Sequence, residues 1–200
     1  MRKTRARCRS STTLVISISA CAAALRPSLP GLDLPGVFVL RELTDGTAIK
    51  SYLEQNNVHR VLIAGGGYIG MEMAESLRAR GLAVTLLERA RQVLPGFEPV
   101  IAEGVHETLQ RHGVAVLTGV GIEAIEQDGE GLRVRAGGQT LAADMVLLAL
   151  GVRPNVALAQ AAGIQLGASG AIAVDEQQRT NLPQVYAAGD CAEAFDKVSG

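Results

Sequence analysis

The stretch Gly65-Gly66-Gly67-Tyr68-Ile69-Gly70 constrains this chain more than any other, because it joins two segments of opposite periodicity. Before it, Arg60-Val61-Leu62-Ile63-Ala64 is a continuous β-rich apolar run, the pattern of a strand buried on both faces of a parallel sheet. After it, Ile69, Met73 and Leu77 recur every four residues, which predicts a helix from about Tyr68 with its apolar row on those positions. Gly81 supplies a left-handed stop. Ala83-Val84-Thr85-Leu86-Leu87 then reads as a second strand, so residues 60–87 form one right-handed βαβ unit.

In such a strand-turn-helix each glycine has its own task. Gly65 permits the tight turn, Gly67 lets the backbone approach a pyrophosphate, and Gly70 lets the helix pack closely on the strand. The helix beginning near Tyr68 and Ile69 directs unpaired N–H groups and the positive end of its dipole at a diphosphate. Glu88 ends the second strand, 18 positions beyond Gly70, where a carboxylate can accept hydrogen bonds from the adenosine ribose hydroxyls. A lone GxGxxG could be no more than a tight turn in a domain that binds something else. With its strand, helix and acid it predicts a nicotinamide-dinucleotide site. A carboxylate at Glu88 repels a 2′-phosphate and favours NADH, but Arg89 or Arg91 could face that phosphate, so NADPH stays open.

Around this unit the chain reads as follows. Arg26 to Gly36 holds three prolines and is expected to be a non-helical linker. The apolar run Val37-Phe38-Val39-Leu40 precedes a helix from about Thr44 with Ala48, Ile49, Tyr52 and Leu53 on one face. A further helix is expected near Pro99 to His112, closed by Gly113, and then a strand from Val114 to Leu117. Ile122 to Glu126 and Leu132 to Arg135, with turns at Asp128-Gly129 and Gly137-Gly138, read as an antiparallel meander. Met145 to Leu150 returns as a buried strand ending at Gly151-Val152-Arg153-Pro154. The expected class is therefore α/β, a Rossmann-like parallel sheet with an antiparallel β-meander. The expected divisions are 1–25, 26–57 (linker and connecting helix), 58–154 (dinucleotide-binding domain) and 155–200.

Composition narrows the chemistry. The chain has 200 residues and is 48% apolar, enough for an ordinary core. Arg2, Lys3, Arg5, Arg7 and Arg9 crowd the start, so with a net charge of −1 the remainder is acidic, which argues against nucleic acid as a partner. Tryptophan is absent and aromatics are 3% of the chain, too few for a base-stacking platform. Cys8, Cys21 and Cys191 form no CxxC pair, which fits neither a disulfide framework nor a zinc site and points to a reducing, cytoplasmic compartment. His59, His106 and His112 are no better as ligands, the last two falling on different helix faces, so no metal is expected. The run Leu14-Val15-Ile16-Ser17-Ile18-Ser19-Ala20-Cys21 has two readings, a lipoprotein signal exporting the protein through Cys21 or a buried strand over Thr13 to Ser19. The strand is preferred, because the apolar part is short and an exported protein would meet little NADH. No segment is long enough to span a membrane.

The stretch Gly65 to Gly70 with Met71-Glu72-Met73-Ala74-Glu75 resembles the nicotinamide-domain signature of the two-dinucleotide flavoprotein (pyridine nucleotide-disulfide oxidoreductase) family. Leu148-Ala149-Leu150-Gly151-Val152-Arg153-Pro154-Asn155 resembles the strand by which that family leaves its nicotinamide domain. Thr180 to Asp190 resembles its second flavin motif, in which the residue matching Asp190, after Gly189, binds the ribityl chain of FAD. Gln92 to Glu98 and Gly189-Asp190-Cys191-Ala192-Glu193 are most similar to the coenzyme A disulfide reductase, NADH oxidase and NADH peroxidase branch. Rubredoxin and ferredoxin reductases share the glycine signature and the Gly-Asp motif. The resemblance implies partial flavin-domain segments beside the nicotinamide site, with NAD(H) and FAD as cofactors. It gives Glu72 a catalytic part, pairing with a lysine close to the flavin, whereas spacing alone reads Glu72 as an exposed helix carboxylate. Cys191 is not read as the redox cysteine.

No second GxGxxG precedes Gly65, and the chain stops at Lys197-Val198-Ser199-Gly200, where the family's dimerisation domain would begin. The chain is therefore expected to be a fragment of a homodimeric enzyme, a split gene product or a chain with a shifted start, its FAD site incomplete. Three functions follow. The first is the nicotinamide portion of an FAD-dependent oxidoreductase passing hydride from NADH to flavin and on to a disulfide or oxygen. The others are a non-catalytic dinucleotide-binding module and an unrelated single-dinucleotide dehydrogenase; Thr180 to Asp190 argues against the last.

Overall fold

The structure is a computed structural model that describes Leu14–Val15 and residues 22–193. Of the strand expected over Thr13 to Ser19, Leu14 and Val15 are described; the basic start, Cys8, Cys21 and Lys197 to Gly200 lie outside the described residues. The chain runs β1 (Leu14–Val15), β2 (Ala22–Ala24), β3 (Val37–Val39), α1 (Leu43–Gln55), β4 (Arg60–Ala64), α2 (Tyr68–Ala79) and β5 (Ala83–Glu88). It continues through α3 (Pro99–Arg111), β6 (Val114–Thr118), β7 (Ile122–Asp128), β8 (Gly131–Ala136), β9 (Gln139–Ala143) and β10 (Met145–Leu148). β11 (Val152–Pro154), α4 (Ala157–Ala161), β12 (Ile172–Ala173), β13 (Val185–Tyr186) and β14 (Ala192–Glu193) complete it. Two compact units result, residues 24–152, and the described residues of 1–23 together with those of 153–200.

In the first unit a five-stranded parallel sheet has the order β3-β10-β4-β5-β6. Side chains of β4 alternate across it, as the two-residue period of a strand requires. Val61 and Ile63 join a core with Ile49, Ala74, Leu77, Leu86, Val116 and Leu147 beneath the helices. Leu62 and Ala64 join another with Leu87, Ile125, Val134, Val146 and Leu148 against β7-β8-β9, the antiparallel meander. Helices thus cover one face and the meander the other, which is why β10 and, after Arg60, β4 are apolar throughout. Full burial of one such side chain, Ile63 for instance, contributes about 1.5–3 kcal/mol.

Two features differ from the pattern read in the sequence. The buried row of α2 is Gly70, Ala74 and Leu77; it keeps Leu77 of the expected row but takes Gly70 and Ala74 in place of Ile69 and Met73, and Ile69 is left 37% exposed. Small residues win that face because the helix must come close to the strand-turn backbone, where a longer side chain has no room. The proline segment 26–36 is non-helical as expected, but it does not hang free. Ile125 donates its N–H to the Pro30 carbonyl (2.9 Å), Leu29, Leu32 and Leu34 pack on the meander core, and Val37–Val39 beyond them is the sheet's edge strand.

In the second unit β1 pairs with β13 and β12 with β14, both parallel, around a small core of Ala159, Ile164, Ile172, Ala187 and Cys191. No helix among the described residues is long and apolar enough to cross a membrane.

Candidate functional site

The sheet order places a topological switch between β4 and β10: from β4 the chain proceeds to β5 and β6 on one side, while β10 and β3 lie on the other. At the carboxyl ends of strands flanking such a switch, connections diverge and leave a crevice. A cleft of about 600 Å³ opens there, lined by Gly65, Gly67, Tyr68 and Ile69, by Leu87 to Arg89, by Val120 to Ile122 and by Ala149 to Val152.

The three motif glycines meet three different surroundings. Gly65 has φ +114°, a conformation nearly closed to other residues, and a Cβ there would overlap the Ala149 carbonyl. Its N–H donates to Leu87 O at 2.7 Å, tying the turn to β5. Gly67 precedes the first residue of α2 and nothing lies within 4 Å of where its Cβ would be, so its backbone faces open space. Gly70 is buried, and a Cβ on it would overlap the Gly65 carbonyl. Tyr68 and Ile69 form the first turn of α2 and present the helix N-terminus to the cleft.

Glu88 ends β5 as expected. Its carboxylate accepts the Gly66 N–H on one oxygen and the Ala90 N–H on the other, both at 2.7 Å. The charge is thereby held at the lip of the cleft by two main-chain donors, and each oxygen keeps a further lone pair for a ligand hydroxyl. Arg89 is exposed, lines the cleft and lies along Gly121. Arg91 is also exposed and stands outside the lining. Gly151, φ +95°, closes the β10 side. Glu72 is an exposed carboxylate one turn along α2, outside the lining. Gly189 (φ +83°) and Asp190 belong to the other unit, both exposed. In that unit Glu193 accepts N–H groups of Ala168 and Ser169 and the Ser169 hydroxyl, which hold its carboxyl below the ordinary value, the hydroxyl most strongly.

Sequence reasoning did not assign two walls of the cleft. One is Val120 to Ile122, where β6 turns into β7; the other is Leu25 with Pro27 and Leu29 of the proline segment that follows it. Gly66 was also missed, although it is the residue that Glu88 grips and whose carbonyl takes the Leu94 N–H at 2.9 Å. Main-chain hydrogen bonds leave no mark on residue type, so no sequence signal reports them. Among the described residues no group of three or more His, Cys, Asp or Glu side chains could hold a metal ion.

The family model for pyridine nucleotide-disulphide oxidoreductases matches residues 10–199. The chain belongs to that family. Members of the family are FAD-dependent NAD(P)H oxidoreductases, which agrees with the NAD(H) inferred from the glycine turn and with the FAD that the flavoprotein resemblance implies. An NADH oxidase of Methanocaldococcus jannaschii is 42% identical over 175 residues, 87% of this chain and 39% of the relative. A CoA-dependent NAD(P)H sulfur oxidoreductase of Pyrococcus abyssi is 38% identical over 175 residues, again 87% of this chain and 39% of the relative. Among solved structures, reduced CoADR-RHD from Bacillus anthracis superposes with a TM-score of 0.83 at 39% identity, covering 89% of this chain and 32% of that one. The chain thus spans about two fifths of the length of the two curated relatives.

Proposed function

We propose that the cleft is the nicotinamide-dinucleotide site of an FAD-dependent oxidoreductase, in which hydride passes from NADH to flavin and on to a disulfide or to oxygen. One observation carries the reading: the glycine turn, the N-terminus of α2 and the carboxylate of Glu88 converge on one cleft at the sheet's switch point. In this reading the diphosphate lies over Gly65 to Gly67 at the start of α2, and Glu88 accepts the adenosine ribose hydroxyls. Its fixed charge disfavours a 2′-phosphate, so NADH is preferred to NADPH. FAD, when bound, supplies the hydride acceptor; Gly189 and Asp190 would contribute to holding it, and Glu72 would act beside the nicotinamide. Residues 58–154 are assigned to the nicotinamide domain and 155–200 to part of the flavin domain. The acceptors are those of the relatives, an NADH oxidase and a sulfur oxidoreductase. A cytoplasmic location is part of this reading, in keeping with a sequence in which Cys8, Cys21 and Cys191 form no CxxC motif.

A second reading, dinucleotide binding without turnover, is supported by a cleft whose lining lies wholly within residues 24–152. Purified chain titrated with NADH, with FAD absorbance recorded and NADH consumption followed under air and with a disulfide acceptor, separates the two. Bound flavin with consumption supports turnover, and colourless protein that binds NADH supports the module. Absence of NADH binding defeats both.

A further inference from the structure

α3 packs one face on the sheet and leaves the opposite face without a partner among the described residues. Ala102 is buried and Val105 and Leu109 reach the core beneath the helices, so the 3.6-residue period turns Val100, Gly104, Glu107 and Arg111 outward. An apolar start to that outer face is unexpected for a helix facing water. Val100 is 79% exposed, Ile101 beside it 49%, and Phe97 just before the helix 38%. Gly104 is also out of place, because nothing lies within 4 Å of where its Cβ would be. Glycine inside a helix weakens it relative to alanine, and no contact within the chain asks for one here.

The charges along α3 are sorted by sign. Glu98, Glu103 and Glu107 come before Arg111, and none of the four enters an ion pair among the described residues. The Arg111 guanidinium donates to the Thr108 hydroxyl (2.8 Å) and to the Glu107 carbonyl. A second α3 laid antiparallel across the first, with the two Gly104 residues at the crossing, meets these features together. The glycines let the backbones approach, and Val100 of each copy lies over Thr108 of the other. Arg111, seven residues past Gly104, comes opposite Phe97, seven before it, with Glu98 adjacent. Each contact occurs twice, as two-fold symmetry requires.

We propose that the outer face of α3 is a self-association surface, through which two copies of this chain pair in an antiparallel helix contact centred on Gly104. The occupant is a second copy because the face is complementary to itself, acidic and apolar at its start and basic at its end. One helix of 13 residues from each copy makes a contact smaller than a standard interface, so pairing is reversible, with a dissociation constant of about 10–100 µM. Phe97, Val100, Ile101, Gly104 and Arg111 lie outside the cleft lining, so this inference does not depend on the dinucleotide reading.

Sedimentation equilibrium of the full chain over about 1–500 µM tests it, and a monomer–dimer equilibrium should appear within that range. V100E should weaken dimerisation at least about tenfold. G104Q should do the same, since its side chain fills the crossing, while the melting midpoint of the dilute monomer stays at the parental value or rises. R111E and E98R should each weaken dimerisation about three- to tenfold, and the double variant R111E/E98R should return to within about twofold of the parent. Within one chain the two positions lie about 20 Å apart along the helix, so rescue requires a contact between copies. A chain that stays monomeric throughout assigns the face to some other partner and overturns the inference. A dimer that V100E and G104Q leave intact, or charge variants without rescue, overturns it equally.

Discussion

Gly70 and Gly67 lie three residues apart and ask opposite things of a substitution. A Cβ at Gly70 would collide with the Gly65 carbonyl, backbone that cannot yield without moving the turn, whereas a Cβ at Gly67 would enter open space. Gly70→Ala should therefore cost about 2–4 kcal/mol of stability in a denaturant melt and remove NADH binding with it. Gly67→Ala should melt within about 0.5 kcal/mol of the parent yet bind NADH at least about tenfold more weakly, because the methyl group occupies the diphosphate's approach. Equal stability losses in the two variants would contradict these assignments. Glu88 combines both demands. Glu88→Gln keeps one acceptor oxygen but turns an NH₂ group toward a main-chain N–H, so about 1–3 kcal/mol should be lost together with NADH affinity. A variant with parental melting and weakened NADH binding alone would show that the grip on Gly66 and Ala90 is dispensable.

Among the elements, the sheet is clasped at the end away from the cleft. Asp144, between β9 and β10, accepts the His59 N–H (3.0 Å), the Arg60 N–H (2.8 Å) and the Arg60 guanidinium (2.6 Å) at the start of β4. Burial by itself would raise this carboxyl, but the hydrogen bonds from Arg60 and His59, with the charge of Arg60, outweigh it and hold it below the ordinary value. A depressed carboxylate stabilises the fold fully above its unfolded-state pKa, about 3.9, and the contribution disappears as pH falls through the lower folded value. Asp144→Asn should cost about 1–2 kcal/mol at neutral pH, most of it from the main-chain partners because the Arg60 side chain is half exposed. Urea melts of parent and variant should converge as the solution is acidified below the ordinary carboxylate range. A difference independent of pH would remove the charge from the explanation. At the cleft end, Leu94 occupies the left-handed region at φ +49°, its N–H bound to the Gly66 carbonyl, and Phe97 packs edge-on against Tyr68 at 5.8 Å. The loop after β5 is thus tied to the glycine turn by one hydrogen bond and one ring pair.

For the molecule as a whole, stability in residues 24–152 is concentrated where β10 passes between the two cores. Leu147 is fully buried there, and Leu147→Ala should cost about 2–5 kcal/mol, read as a lowered melting midpoint of that unit. A loss below about 1 kcal/mol would mean that the core collapses to fill the gap. Much of this architecture was legible beforehand, for a physical reason. A strand buried on both faces, a turn needing glycine and a helix start are local demands, and each leaves its mark within a few neighbouring residues. By itself the sequence therefore determined the βαβ unit from Arg60 to Leu87, the tasks of Gly65 and Gly70, the acid at the end of β5, the meander and the family. Packing decided the rest. Small residues rotated the buried row of α2 to Gly70 and Ala74, and residues nearly a hundred positions apart brought the proline segment onto β7. The apolar wall of Leu25 to Leu29 exists through that long-range contact, because a wall is a property of where chains meet, and no local pattern of prolines and leucines encodes the meeting.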